Sequence, residues 1–90
     1  MDGVRDGEGQ RLDKWLWAAR FCKSRSIASE LCLAARVRMS GRVIDKAHTT
    51  VRIGDVLTFP FGNTIKVVRV LGLAERRGPA PIARQLYEEL

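Results

Sequence analysis

The sequence predicts an α+β domain in which two short packed N-terminal helices precede a small, mostly antiparallel sheet, with a C-terminal helix at the end. Three observations carry that expectation. Apolar residues recur at helical spacing from Leu12 to Ala35, the period drops to two at Arg36, and β-branched runs separated by turn residues fill the stretch from Val43 to Leu71. Ninety residues, 46% of them hydrophobic, supply one domain that can bury a core without metal or disulfide help.

Met1 to Gln10 holds three glycines and three acids. Such a segment has too little apolar surface to offset the entropy of ordering, so residues 1–10 are expected to be a flexible leader and residues 11–90 the domain. Leu12, Trp15, Leu16 and Ala19 stand at i, i+3, i+4 and i+7, the stripe of a first helix, with Asp13 in the first turn where the helix dipole favours a carboxylate. On the same projection Trp17 and Phe21 fall opposite Leu12, and a second apolar layer is expected to cover them. Trp17 in particular is expected beneath the C-terminal segment, against Leu86 or Tyr87.

Lys23-Ser24-Arg25-Ser26 interrupts the pattern and offers Ser24 or Ser26 as an N-cap. A second stripe of Ile27, Leu31, Ala34 and Ala35 follows, with Ala28 beside it. Arg36-Val37-Arg38-Met39 then alternates charge and apolar, as a strand with one buried and one cationic face does. Ser40-Gly41 and Gly54-Asp55 are turn signals, and Phe61-Gly62-Asn63 is the tip of a hairpin. Pro60 is confined to an edge or strand end. Pro81 to Leu90 is expected to form the final helix.

All of the formal net charge of +6 lies on one piece of chain. From Arg11 to Lys46 there are nine Lys and Arg against three acids, and the other residues carry seven of each sign. Charge segregated in this way makes a directed field for a polyanion, and nucleic acid is the partner it implies. No apolar run approaches the ~20 residues of a membrane span, so no membrane partner and a cytoplasmic location are expected. Cys22 and Cys32 read as buried thiols. With His48 as the lone histidine, in an exposed loop, and no CxxC pair, no metal or other cofactor is expected.

Catalysis finds no support, because phosphate-loop, zincin and nucleophile-elbow motifs are all missing and Asp13, Asp45 and Asp55 have local roles at a helix start and turns. Glu30 is expected to be a rim residue paired with a cation. The binding constellation is fuller: Arg11, Lys14 and Arg20 on the first helix, Lys23, Ser24 and Arg25 in the link, Arg36 and Arg38 at the first strand. Free N–H groups and the dipole at the start of the second helix favour phosphate beside Ser24 and Arg25. A compact basic face without a recognition-helix pattern suits shaped RNA more than the DNA major groove.

The run Arg11-Leu12-Asp13-Lys14-Trp15-Leu16-Trp17, followed by Ala19-Arg20-Phe21-x-Lys23-Ser24-Arg25-Ser26-x-Ala28, resembles the S-four RNA-binding domain. It is most similar to the heat shock protein fifteen branch of small bacterial S-four proteins. The resemblance places the core motif over residues 11–58, and Arg76-Arg77-Gly78-Pro79-Ala80 and Leu86-Tyr87-Glu88-Glu89 extend it. It implies a cytosolic, non-enzymatic protein that binds structured ribosomal RNA on the free large ribosomal subunit carrying a stalled nascent chain, with peptidyl-tRNA as a further partner and a monomer as the expected assembly.

Carried over by position, the RNA-facing residues are Arg11, Lys14, Arg20, Lys23, Ser24 and Arg25, with Arg36 and Arg38 near the strand, while Asp13 and Ala28 fall at structural positions. The chain departs from the family pattern at Ala35, where glycine is usual, at Ser40-Gly41 in place of Asn-Gly, and at Ala47 in place of proline. The best-known members also continue past the position of Leu90 into a long basic helical tail. Two other readings of the same cations stand beside this one: a stand-alone targeting module related to RNA-modification enzymes, and a basic domain for an acidic protein partner.

Overall fold

The computed structural model describes residues 8–90, so residues 1–7 of the expected leader lie outside the described residues. The elements run β1 (Gly9–Arg11), α1 (Leu12–Ala18), α2 (Arg25–Leu33), β2 (Val37–Met39), β3 (Arg42–Ile44), β4 (Thr50–Arg52), β5 (Val56–Phe61), β6 (Thr64–Val70), α3 (Ala80–Ala83) and β7 (Tyr87–Glu89). A five-stranded antiparallel sheet has the order β3-β2-β5-β6-β7, and β1 pairs with β4 in a separate two-stranded ribbon. The α+β class with its helical N-terminus is as the sequence predicts.

The core lies between the helices and the sheet. Leu12, Trp15 and Leu16 of α1 and Ala28 and Cys32 of α2 meet Val37, Leu57, Phe59, Val68 and Val70, all fully or almost fully buried. The α1 stripe is the one expected. The α2 stripe is rotated: Ile27 is exposed, Ala34 and Ala35 are exposed, and the buried positions are Ala28 and Cys32. Small side chains at i and i+4 let α2 lie close on α1, and Leu31 packs partly beside them.

Three further differences have local causes. Gly9 and Gln10, expected in the leader, are strand residues opposite Arg52 and Val51. A side chain at Gly9 would run into the Thr50 methyl and stand 3.0 Å from the Val51 carbonyl oxygen, so glycine suits that approach. The final helix is a single turn, α3, followed by a 3-10 turn over Arg84–Leu86. Tyr87 to Glu89 then extend along β6, opposite Val70, Arg69 and Val68. Glu88 pairs with Arg69 at 3.1 Å and Glu89 with Lys66, and these cross-strand ion pairs favour the strand.

Phe21 lies beyond the end of α1. Arg20 takes φ 68°, which turns Phe21 back against the core. Its ring meets Tyr87 at 4.6 Å, Phe59 at 4.8 Å and Phe61 at 5.8 Å. The second apolar layer therefore exists, but it is built on Phe21. Trp17 is half-buried and is not among the residues packed on the core cluster, whereas Leu86 and Tyr87 are.

At the β2–β3 hairpin Ser40 (φ 50°) and Gly41 (φ 88°) both adopt the positive φ of a tight two-residue turn. Pro60 lies where β5 has outrun its β2 partner, which pairs with Leu57 and Thr58 only.

Candidate nucleic-acid interface

The first turn of α1 has no side-chain cap. Instead the backbone N–H groups of Leu12 and Asp13 donate to the carbonyls of Thr49 (2.8 Å) and Ala47 (3.2 Å), which fixes the helix start on the loop before β4. Asp13 is 4% exposed, an unusual burial for a carboxylate. Its oxygens accept from Arg11 twice (Nε 3.1 Å, Nη2 3.0 Å), from the Lys14 backbone N–H (2.8 Å) and from Arg25 (Nη2, 3.5 Å). One buried charge thus holds two guanidinium groups, one from the strand before α1 and one from the first residue of α2.

Those two arginines and Lys14 line an open cleft of about 580 Å³, together with Gln10, Ala74 and two acids, Glu8 and Glu75. Gln10 closes one side by bonding both the carbonyl and the N–H of Ala74. Lys14 reaches Glu75 at 3.9 Å, but that carboxylate is fully exposed, so the pair is weak and yields readily to a polyanion. Ser24 caps α2 by accepting the Ile27 N–H at 3.1 Å. The N–H groups of Arg25 and Ser26 have no intrahelical partner and add the positive end of the helix dipole next to the cleft.

The other sequence-predicted residues are distributed more widely. Lys23, Arg36 and Arg38 are exposed, and their side chains form no hydrogen bond or ion pair among the described residues. Arg38 projects outward between buried Val37 and Met39, in line with the alternation in the sequence. Arg20 stands apart from the cleft. Its Nε donates to the Gly78 carbonyl at 2.8 Å, and it lines a different hollow with Phe61 and Tyr87. Glu30, expected in an ion pair, is exposed and forms none among the described residues. His48 is exposed as expected.

Sequence reasoning missed Arg77. Its guanidinium donates to the carbonyls of Trp17 (2.9 Å) and Cys22 (3.3 Å), tying the turn between α1 and α2 to the segment after β6. Only its place in the Arg76-Arg77-Gly78-Pro79 run marked it. Trp15 is held from the same segment, its indole N–H donating to Gly72 O at 2.8 Å. Both cysteines are buried and free, and burial pushes the Cys22 and Cys32 thiols up, Cys32 to about 11. Among the described residues no group of acids, cysteines and histidines could hold a metal, and no helix is long and apolar enough to cross a membrane.

Comparison with known proteins bears on this geometry directly. The S4 domain family model matches residues 10–57. Heat shock protein 15 of Escherichia coli (strain K12) is 43% identical over 79 residues, which is 88% of this chain and 59% of that protein. The RQC P-site tRNA stabilizing factor of Halalkalibacterium halodurans is 38% identical over 65 residues, 72% of this chain and 73% of that one. A solved structure of Vibrio cholerae heat shock protein 15, described as trimeric, superimposes with a TM-score of 0.87 at 40% identity, covering 92% of this chain and 83% of that one. The chain spans about 60% of the length of the heat shock protein 15 relatives it matches.

Proposed function

The chain belongs to the S4 domain family, and from that premise we propose that it is a cytoplasmic protein that binds structured ribosomal RNA and performs no catalytic step. Its site is the cationic face formed by Arg11, Lys14, Lys23, Ser24 and Arg25, with Arg36 and Arg38 at its margins, carried by a single domain that takes in the β1 residues Gly9 and Gln10 along with residues 11–90. The observation that carries this reading is the Asp13 clamp. A buried carboxylate that accepts from two half-exposed arginines presets them beside Lys14 and the α2 N-terminus, the geometry a phosphate backbone needs.

The occupant we propose is the free large ribosomal subunit that still carries a nascent chain on tRNA. The name of one relative supports it, a factor described as stabilizing P-site tRNA. Assembly enters in one of two states, the monomer expected from the sequence or a trimer such as the Vibrio cholerae relative is described to form. Sedimentation equilibrium at the concentration used for binding distinguishes them.

The test is a ribosome-profile sedimentation run joined to a salt titration. Co-migration with large subunits is expected, and log K should fall against log salt with a slope of magnitude roughly 3 to 5 if about five cations touch phosphates. Arg25→Ala should weaken binding by about 1–3 kcal/mol. A flat salt response, or migration with no ribosomal particle, would refute the proposal.

A further inference from the structure

At the other end of α1 from the Asp13 clamp, the structure forms a hollow of about 170 Å³ between the α1–α2 turn, the β5–β6 hairpin and the C-terminal segment. Its walls are aromatic. Phe21 and Tyr87 line it with their rings 4.6 Å apart, Phe61, 41% exposed, lies edge-on to Phe21, and alanines fill the rest of the apolar lining. Three cations line it as well: Arg20, Lys66 and Arg84. The Nζ of Lys66 stands 5.5 Å from the Phe61 ring centre and pairs with Glu89. Arg20 is steered by its bond to the Gly78 carbonyl. The Arg84 side chain is exposed and makes no hydrogen bond or ion pair with any described residue.

We infer that this hollow receives one unpaired nucleotide of RNA, its base against Phe61 and Tyr87 and its phosphate on Arg84 and Arg20. The size decides between a base and a larger ligand. Sites that enclose a drug-sized molecule begin at about 300 Å³, so this one admits a single ring system and leaves the sugar and phosphate at the rim, where the cations stand. The chemistry decides between a base and a purely apolar group. Aromatic faces interleaved with Arg and Lys are what single-stranded nucleic acid stacks on, and two of the three cations have no carboxylate partner among the described residues.

The site lies outside the cleft of Arg11, Lys14 and Arg25, and only one of its three cations, Arg20, belongs to the basic stretch of the sequence. Its occupant being RNA rests on the RNA-binding reading. Whether the hollow takes a nucleotide does not.

The test uses the full chain and adenosine 5′-monophosphate, followed by NMR, with adenosine and inorganic phosphate as separate ligands. Adenosine 5′-monophosphate should shift the Phe61 and Tyr87 ring signals, and bind more tightly than either fragment. Phe61→Ala and Arg84→Ala, both at exposed positions, should each weaken it about fivefold or more, while Arg25→Ala leaves it unchanged. Shifts confined to the Arg11–Arg25 cleft, or phosphate alone binding as well as the nucleotide, or no response to either pocket variant, would overturn the inference. A structured ribosomal RNA hairpin with and without a short single-stranded tail separates the two sites. Arg84→Ala should abolish the gain from the tail and spare the blunt hairpin, whereas Arg25→Ala should weaken both. Equal losses from Arg84→Ala on the two RNAs would also overturn it.

Discussion

Replacing Asp13 by asparagine sets two physical pictures of the basic face against each other. The substitution keeps the shape of the side chain and one acceptor oxygen, and it removes the charge that Arg11 and Arg25 share. Removing one of the ten acids raises the formal net charge from +6 to +7. If the cations act as a diffuse cloud, Asp13→Asn should bind RNA more tightly and with a steeper salt slope. The clamp predicts the opposite, because the arginines lose their common anchor and must be ordered again on binding.

The stability cost follows from exposure. Loss of a partner from a fully buried pair costs about 3–5 kcal/mol because a naked charge is left behind. Here the buried member is the one removed, and the arginine side chains left are 54% and 44% exposed, so both can rehydrate. The Lys14 N–H retains an acceptor in asparagine. About 1–2 kcal/mol is the expected loss, a fall in melting temperature of roughly 5–15 °C for a domain of this size. Guanidinium denaturation measures the first quantity, and fluorescence anisotropy with a structured ribosomal RNA fragment at fixed salt measures the second, where we expect a three- to tenfold weaker affinity. Unchanged or tighter binding by a variant that is folded at the assay temperature would refute the clamp.

Two other outcomes follow from the backbone and the core. Ala35 sits at φ 59°, the left-handed region that disfavours a Cβ, so Ala35→Gly should raise stability by about 1 kcal/mol, and a lower denaturation midpoint would refute the strain. Cys32 holds its proton up to about pH 11 against an ordinary 9.0, through burial first and then Asp13 and Cys22, so its contribution to stability is complete below pH 9 and is lost as pH rises through 11. That contribution is roughly 2–3 kcal/mol, and denaturation at pH 8 and pH 11 should show a smaller alkaline loss in Cys32→Ala than in the parent; equal losses would place the titration elsewhere.

The long periodic signals were legible in the sequence. The stripe of Leu12, Trp15 and Leu16 and the outward Arg38 between Val37 and Met39 each rest on spacing alone, which tertiary packing did not override. Gly9–Arg11 has no apolar side chain and Thr50–Arg52 only one, so β1 and β4 show no alternation to read, and β1 depends on the close approach at Gly9. The last segment has helix formers, yet its glutamates find cations on β6, and that pairing cannot be read locally. Helical projection misplaced Phe21 because it assumes that the helix continues, whereas Arg20 breaks it. For the site, residue types and order placed Arg11, Lys14, Ser24 and Arg25 near one another. That Asp13 is the buried hub joining them, and that Arg20 belongs to a different hollow, are facts of three-dimensional position with no counterpart in spacing.

The hydrogen bonds of Trp15 to Gly72, Arg20 to Gly78, and Arg77 to the carbonyls of Trp17 and Cys22 link residues 55 to 60 positions apart in the chain. The S4 match stops at residue 57, so each of these fastenings comes from outside the matched region. During synthesis the helices that display the cations emerge well before the segment that fixes their turn and seats their tryptophan, which follows 55 to 60 residues later. Contacts of such long range must wait for their loops to close. The α1–α2 turn that carries part of the basic face therefore acquires its shape late, and a nascent copy cannot present it in finished form until residues 72–78 have been made.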